Sequence, residues 1–471
     1  MNEPLYSHLF PVKAASMKNL LFLAGLLMSL TVYAQHEQHM PAKEDSGKIK
    51  TANDTTPPHQ HHNMQPEHDM GNMSHSFSLH LPMSRNGSGT GWLPDASPMY
   101  GVMYHSKKWM YMLHGNIFLR YNNQDFTNKG SRGDSKFDMP NWLMFMGQRK
   151  VGDKGLFRFS SMFSLDALIA GGSGYPLLFQ SGESYRGKPL VDRQHPHDLF
   201  SELSVSYTYA LSKHIDVFAY AGYPGEPALG PVAFMHRPAA LYNPDAPLSH
   251  HWTDATHITF GVAIAGIRLD KFKMEGSSFT GREPDEHRYG FDKPRFDSWS
   301  GRLSYNPANN WALQVSHAFI KEPEPLHANK DVNRTTASAV YSLPLAKNGW
   351  VNATAVWGRN KSKNHNAESA FLLEGSWRSK KLALYGRYEF VQKSVEELVL
   401  DETIYGHDAI FPVHAFTAGI SYDLLHINKI GVAGGAQFTL YKTDEKLYGL
   451  YGKHPMAFEV YLRLYPFLMN M

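Results

Sequence analysis

The residues best able to do chemistry are histidines and methionines, and they fall in two places. The first is the stretch 35–80, where His59, His61, His62, His68 and His75 are interleaved with Met64, Met70 and Met73 among Pro, Asn, Asp and Gln. Imidazole suits copper, zinc and nickel, and a thioether adds a preference for Cu(I). This mixture is therefore expected to hold copper, as Cu(I) or Cu(II), ahead of zinc or nickel. The run His68-Asp69-Met70-Gly71-Asn72-Met73-Ser74-His75 is compact enough to wrap one ion. A segment this poor in branched apolar residues cannot bury a core and is expected to be disordered. A solvated polar tail that meets metal only incidentally stays open as the alternative.

The second place is a pair of long loops. One closes with Asp192-Arg193-Gln194-His195-Pro196-His197-Asp198; the next carries Met235-His236-Arg237-Pro238 and then His250-His251-Trp252-Thr253-Asp254, with His257 expected to open the following strand. His-x-His sets two imidazoles on the same side of an extended chain, suited to chelation with a nearby carboxylate such as Asp198 as ligand or acceptor. Later loops add Glu283, Asp285, Glu286 and His287, and His407, Asp408 and His414. An internal hydrogen-bonded plug explains the same residues equally well. The chain has no cysteine, which removes disulfides, thiolate zinc sites, iron–sulfur clusters and a cysteine nucleophile. Ser201 and Ser204 lie near His195 and His197 in sequence, but spacing alone does not make a triad, and neither a Gly-x-Ser-x-Gly elbow nor a phosphate-cradling loop is present. No enzyme and no organic cofactor are expected.

The elements that must position these loops are strands. Leu203, Val205, Tyr207 and Tyr209 alternate with Glu202, Ser204, Ser206 and Thr208, and the same period of two returns down the chain. Strands are expected at 109–121, 141–151, 155–166, 199–210, 214–222, 256–269, 271–280 and 297–306. Further ones fall at 310–319, 334–343, 349–358, 368–378, 381–391, 412–424, 430–441 and 456–467. Tight turns and long loops alternate between them, which sorts the long loops to one rim. The expected fold is therefore all-β, a transmembrane antiparallel β-barrel of about 16 strands behind a disordered His/Met-rich N-terminal segment. Glu202, Arg302, Glu374, Arg387, Glu389, Glu459 and Arg463 are expected to face the lumen and pair with one another. Trp109, Tyr111, Trp142, Trp252, Trp299, Trp311, Trp350 and Trp357 are expected to form interfacial girdles.

Ahead of the wall, Lys18 followed by the apolar run Leu20 to Val32 and a small residue before Gln35 has the form of a secretory signal. The expected organisation is a signal peptide at 1–34, with 1–16 an over-extended start, a metal-binding leader at 35–80, a periplasmic lead-in at 81–108 and a barrel at 109–471. The expected location is the outer membrane of a Gram-negative cell. Lys and Arg number 46 against 43 Asp and Glu, so nothing calls for a nucleic-acid partner. Membrane lipid, transition-metal ions and periplasmic metal-handling proteins are the expected partners.

The runs Met83-Ser84-Arg85-Asn86-Gly87-Ser88-Gly89-Thr90, Trp92-Leu93-Pro94, Asp192 to Asp198 and Phe234-Met235-His236-Arg237-Pro238 resemble those of poorly characterised Gram-negative outer-membrane proteins associated with copper or heavy-metal resistance. A His/Met-rich leader before a barrel is similar in layout to the copper-resistance outer-membrane protein B family. The resemblance implies a role in copper or other transition-metal export, sequestration or resistance, and assigns no residue a part. The alternatives are a passive porin for small polar solutes with an incidental tail and, in third place, an outer-membrane enzyme.

Overall fold

The computed structural model describes residues 77–469 except 128, 327, 328, 347 and 364. The signal and the leader ligands His59, His61, His62, Met64, His68, Met70, Met73 and His75 lie outside the described residues.

Strands follow in the order β1 (Val102–His105), β2 (Met110–Gln124), β3 (Asp134–Asp138), β4 (Asn141–Val151), β5 (Gly155–Phe163), β6 (Tyr175–Tyr185) and β7 (Lys188–Gln194). Next come β8 (Phe200–Ala210), β9 (Ile215–Gly222), β10 (Val262–Leu269), β11 (Phe272–Phe279), β12 (Ser298–Tyr305), β13 (Trp311–Ile320) and β14 (Val332–Leu345). The chain ends with β15 (Gly349–Ser362), β16 (Glu368–Ser379), β17 (Leu382–Ser394), β18 (Ile410–Ile427), β19 (Ile430–Lys442) and β20 (Met456–Pro466). All but β1, β3, β6 and β7 form one antiparallel ring of 16 strands, each paired with its neighbour in the chain. Closure comes from β2 against β20, from Ile117 opposite Leu464 to Gln124 opposite Ala457. A bilayer offers no water to an unpaired strand edge, so closure is what lets such a sheet cross it. Two short strands complete the edges of β2. β3 continues the line of β4 along Arg120–Gln124, the two separated by Pro140, which has no N–H to give the ladder; β1 lies along Met110–Leu113 below the end of β20.

The outer face is apolar by the period of two. Val205, Tyr207 and Tyr209 on β8, Leu373 on β16, Leu384 on β17 and Val460 and Leu462 on β20 are exposed, while their sequence neighbours point inward and are buried. Leu373, 48% exposed on the outer face, is thus turned to lipid. Leu373→Arg is expected to cost about 2–4 kcal/mol near the bilayer midplane, read as a lower urea midpoint or less heat-modifiable barrel.

The inward face departs from expectation in two ways. Trp299, Trp311 and Trp357 are exposed on the outer face, but Trp252 is fully buried inside the ring. Trp142 packs inward on His236, and the Trp350 indole donates to the Ala96 carbonyl. These three are not girdle residues, because their register parity or their loop carries them to the lumen. The stretch expected to lead in from below also runs inside: the Thr90 hydroxyl accepts from Arg302 at 2.8 Å and the Leu93 carbonyl accepts from Asn306 at 2.9 Å, and Phe77, at the end of the expected leader, sets its ring tilted at 6.2 Å from lumen-facing Phe218. Only at β1 does it join the wall.

Candidate metal centre

Loop three, between β9 and β10, fills the ring. From Pro224 to Phe260 every residue is buried except His236 and Leu241, which are partly so. Buried polar groups need partners, and the wall supplies many of them around its circumference. Arg120 of β2 meets Asp245 at 2.5 Å, Ser316 of β13 accepts from the Gly230 amide, and Arg334 of β14 donates to the His251 carbonyl at 2.6 Å. Glu374 of β16 takes Arg237 at 2.6 Å, Glu389 of β17 takes the Ser249 hydroxyl at 3.0 Å, and Gln437 of β19 donates to Asp245 at 2.7 Å. The lumen-facing charges therefore clamp the loop as much as they pair with one another. Two glycines permit the close fit. At Gly230, in the left-handed region with φ +78°, a Cβ would meet the Thr253 carbonyl at 2.1 Å; at Gly358 on β15 it would meet the Trp252 carbonyl at 2.3 Å.

Loop two supplies a short helix, Asp166–Ala170, and the hairpin β6–β7, which set His195 and His197 against loop three. In loop three a single helical turn, His250–Thr253, and a 3-10 turn, Ala255–His257, present His250, His251 and His257. His257 therefore does not open a strand; β10 begins five residues later, at Val262. The rings form one closed cluster: centroids are 5.6 Å apart for His195 and His251, 5.3 Å for His251 and His250, 5.0 Å for His250 and His257, 5.5 Å for His257 and His197, and 6.3 Å for His197 and His195.

Most of these imidazoles have one nitrogen fixed and the other unpaired among the described residues. His197 Nδ1 meets Asp166 at 2.7 Å, His250 Nδ1 meets Asp254 at 2.8 Å, and His257 Nδ1 donates to the Asp254 carbonyl at 2.8 Å; the Nε2 of each is buried without a partner. His195 is turned the other way, Nε2 toward Glu183 at 3.2 Å and Nδ1 unpaired. A carboxylate or carbonyl that holds one imidazole nitrogen is the arrangement that orients histidines toward a metal. Burial lowers the His250 imidazole to about 4 and the His195 and His257 imidazoles well below their usual range, so all three are neutral and ligand-ready at neutral pH. Burial would raise the Asp254 carboxyl, but Arg237 and His250 outweigh it and hold the group well below the usual range.

The tightest convergence of ligand atoms is at the mouth. One atom each from His251, Glu283 and Glu324 lies within 4.8 Å of the others, which among the described residues makes this trio the set with metal-ligand spacing. His251 Nδ1 stands 3.4 Å from Glu283 and 3.8 Å from Glu324, and the second Glu283 oxygen is buried and unpaired. Three loops contribute, and a cavity of about 80 Å³ opens beside them, lined also by Glu183, Glu368 and Glu397. Burial raises Glu283 to about 7 and, with the neighbouring Glu283 charge, Glu324 to about 8. Carboxylates crowded this way favour an added cation.

Some expected ligands stand elsewhere. Asp198 is turned to Arg288 at 3.2 Å, and the Ser201 hydroxyl to the Asp198 carbonyl rather than to an imidazole. His236 stands apart from that cluster, its ring tilted against those of Trp142 and His114, with centroids 4.6 and 5.5 Å away. His407 is exposed and bonded to Glu402, and His414 packs with its ring tilted against Phe390 of the wall. The residues that sequence reasoning missed are Asp166, Glu183 and Glu324, single loop carboxylates with no local pattern, and His114, which follows Met110 and Met112 at alternate positions of β2.

No family model and no curated protein matches the chain. Among solved structures it is similar to OmpF of Salmonella typhi in complex with daunomycin, at 10% identity and TM-score 0.49 over 77% of this chain and 100% of that one. It is also similar to an anion-selective porin from Comamonas acidovorans, at 13% identity and TM-score 0.47 over 76% and 100%. A third is OccAB1 of Acinetobacter baumannii, at 9% identity and TM-score 0.39 over 75% and 96%. None of these names speaks of copper, and the likenesses say nothing of ligand or activity. What the closed wall and its apolar belt establish is an outer-membrane type of β-barrel.

Proposed function

We propose that the protein handles transition-metal ions at the outer membrane, with a lumen closed by loops two and three and a binding site for a divalent ion at His251, Glu283 and Glu324. One observation carries this reading: ligand atoms of His251, Glu283 and Glu324, from three loops, lie within 4.8 Å of one another, with both His251 ring nitrogens and one Glu283 oxygen buried and unpaired among the described residues. Imidazole with carboxylate suits Zn(II), Cu(II) or Ni(II). The copper role that the resemblance implies belongs to this same proposal and receives no support from the comparisons.

A second reading, a passive porin for small polar solutes, is favoured by the width of the wall, since a ring of this size can hold an aqueous channel. The filled lumen weighs against it. Planar-bilayer recording of the full-length protein separates the two. The metal reading expects low conductance together with metal retained by the purified protein; steady wide-channel conductance with no retained metal contradicts it.

A further inference from the structure

Methionine is confined to one part of the interior. Among the described residues, eight of the nine buried methionines gather in one cluster, where Phe234 and Ala246 are the remaining buried apolar members. The large cluster around Trp252 and Leu398 and the one around Phe218 and Phe279 contain none. Ordinary packing draws on Leu, Ile and Val, so this segregation calls for a property that only a thioether has. The alternation Met110-x-Met112-x-His114 on β2 and Met144-x-Met146 on β4 turns these side chains to the lumen, where β2 pairs Met112 with Met146 and His114 with Met144. Met235 comes from loop three and Met83 from the segment inside the ring.

These groups enclose space. A cavity of about 100 Å³ is lined by Met112, Met144, Met146, Met235, His114 and His236, and among the described residues no carboxylate lines it. The His114 Nε2 is buried and unpaired, and its ring lies 5.5 Å from that of His236. The positive groups at its edges are Arg158, which donates to the Met146 sulfur at 3.0 Å, Arg463, bonded to Asn116, and Arg237, neutralised by Glu374 and Asp254. Repulsion from these scales with the charge of an incoming ion, which penalises a divalent cation twice as much as a monovalent one. Thioethers and imidazoles without carboxylates select soft ions.

We infer that this methionine and histidine chamber is a second metal site, one that takes a soft monovalent ion, Cu(I) or Ag(I), and is distinct from the carboxylate site at the mouth. The inference deepens the metal-handling reading and rests on it. Full-length protein in detergent is titrated with Cu(I) under anaerobic, reducing conditions against a chromophoric Cu(I) chelator, and with Zn(II) in parallel. Met112→Leu, Met144→Leu and Met235→Leu are combined, since Leu conserves volume and the barrel should still form. The triple variant is expected to lose one equivalent of bound Cu(I) and to show weaker copper–sulfur X-ray scattering, with Zn(II) uptake unchanged. Unchanged Cu(I) uptake and scattering would overturn the chamber while leaving the mouth site standing, whereas loss of Zn(II) sites to mouth variants is decided separately. Wild-type crystals soaked in Ag(I) decide the matter if the triple variant does not fold. An anomalous peak among Met144, Met235 and His114 is expected, and Ag(I) found only elsewhere rejects the site.

Discussion

Arg237→Ala is expected to loosen loop three and open the lumen while leaving the wall closed. The guanidinium sits fully buried between Glu374 of β16, at 2.6 Å, and Asp254 of its own loop, at 2.8 Å. Truncation leaves a buried Asp254 without its cation and removes one of the two arginines on Glu374, the other being Arg387 at 3.2 Å. Breaking a buried pair from one side costs about 3–5 kcal/mol, because the remaining charge has no water to turn to. The wall pairs through its own ladder, so the loss falls on the docking of the loop. Heat-modifiable mobility should persist while conductance rises and the Zn(II) retained by the protein falls, the last because an undocked loop three no longer holds His251 beside Glu283 and Glu324. Unchanged conductance would mean that loop three is held without this clamp.

His251→Ala combined with Glu283→Gln should lower Zn(II) affinity at the mouth by at least about 100-fold, the upper end of what losing a mere supporting partner costs a metal site. Both side chains are buried beside the cavity but face ligand space, and the His251 backbone carbonyl, not its ring, carries the bonds from Arg334 and Asn360. The loop should therefore stay docked, and the barrel should melt within a few degrees of the wild type. Isothermal titration with Zn(II) after removal of bound metal reads the change. Affinity preserved within a factor of a few would show that the trio does not bind the ion.

The wall was legible in the sequence because a two-faced strand must alternate. The expected spans 141–151 and 430–441 match β4 and β19 to within a residue, since each is bounded by a turn whose residues stop the pattern. What alternation cannot reveal is the destination of a loop. Trp252 was assigned to an interface on its proximity to a strand, whereas its helical turn folds inward until its carbonyl meets Gly358. Two long loops rising from neighbouring parts of one rim could bring His195, His197, His236, His250, His251 and His257 together; the rings of the other five cluster, while His236 turns to Trp142 and His114. Their partners were hidden because Asp166, Glu183 and Glu324 are single carboxylates whose meaning depends on contacts far away in the chain. The methionines of β2 and β4 did carry a signal, thioethers at every second position of a strand, hidden because the same alternation marks any barrel wall.

Anomalous diffraction from crystals of the full-length protein soaked in Zn(II) tests the central claim most directly, because it locates the ion rather than counting it. The account predicts a strong peak enclosed by His251, Glu283 and Glu324 at the mouth of the filled lumen. A lumen that stays empty of metal at saturating Zn(II), with peaks only at exposed pairs such as His407 with Glu402, would contradict it.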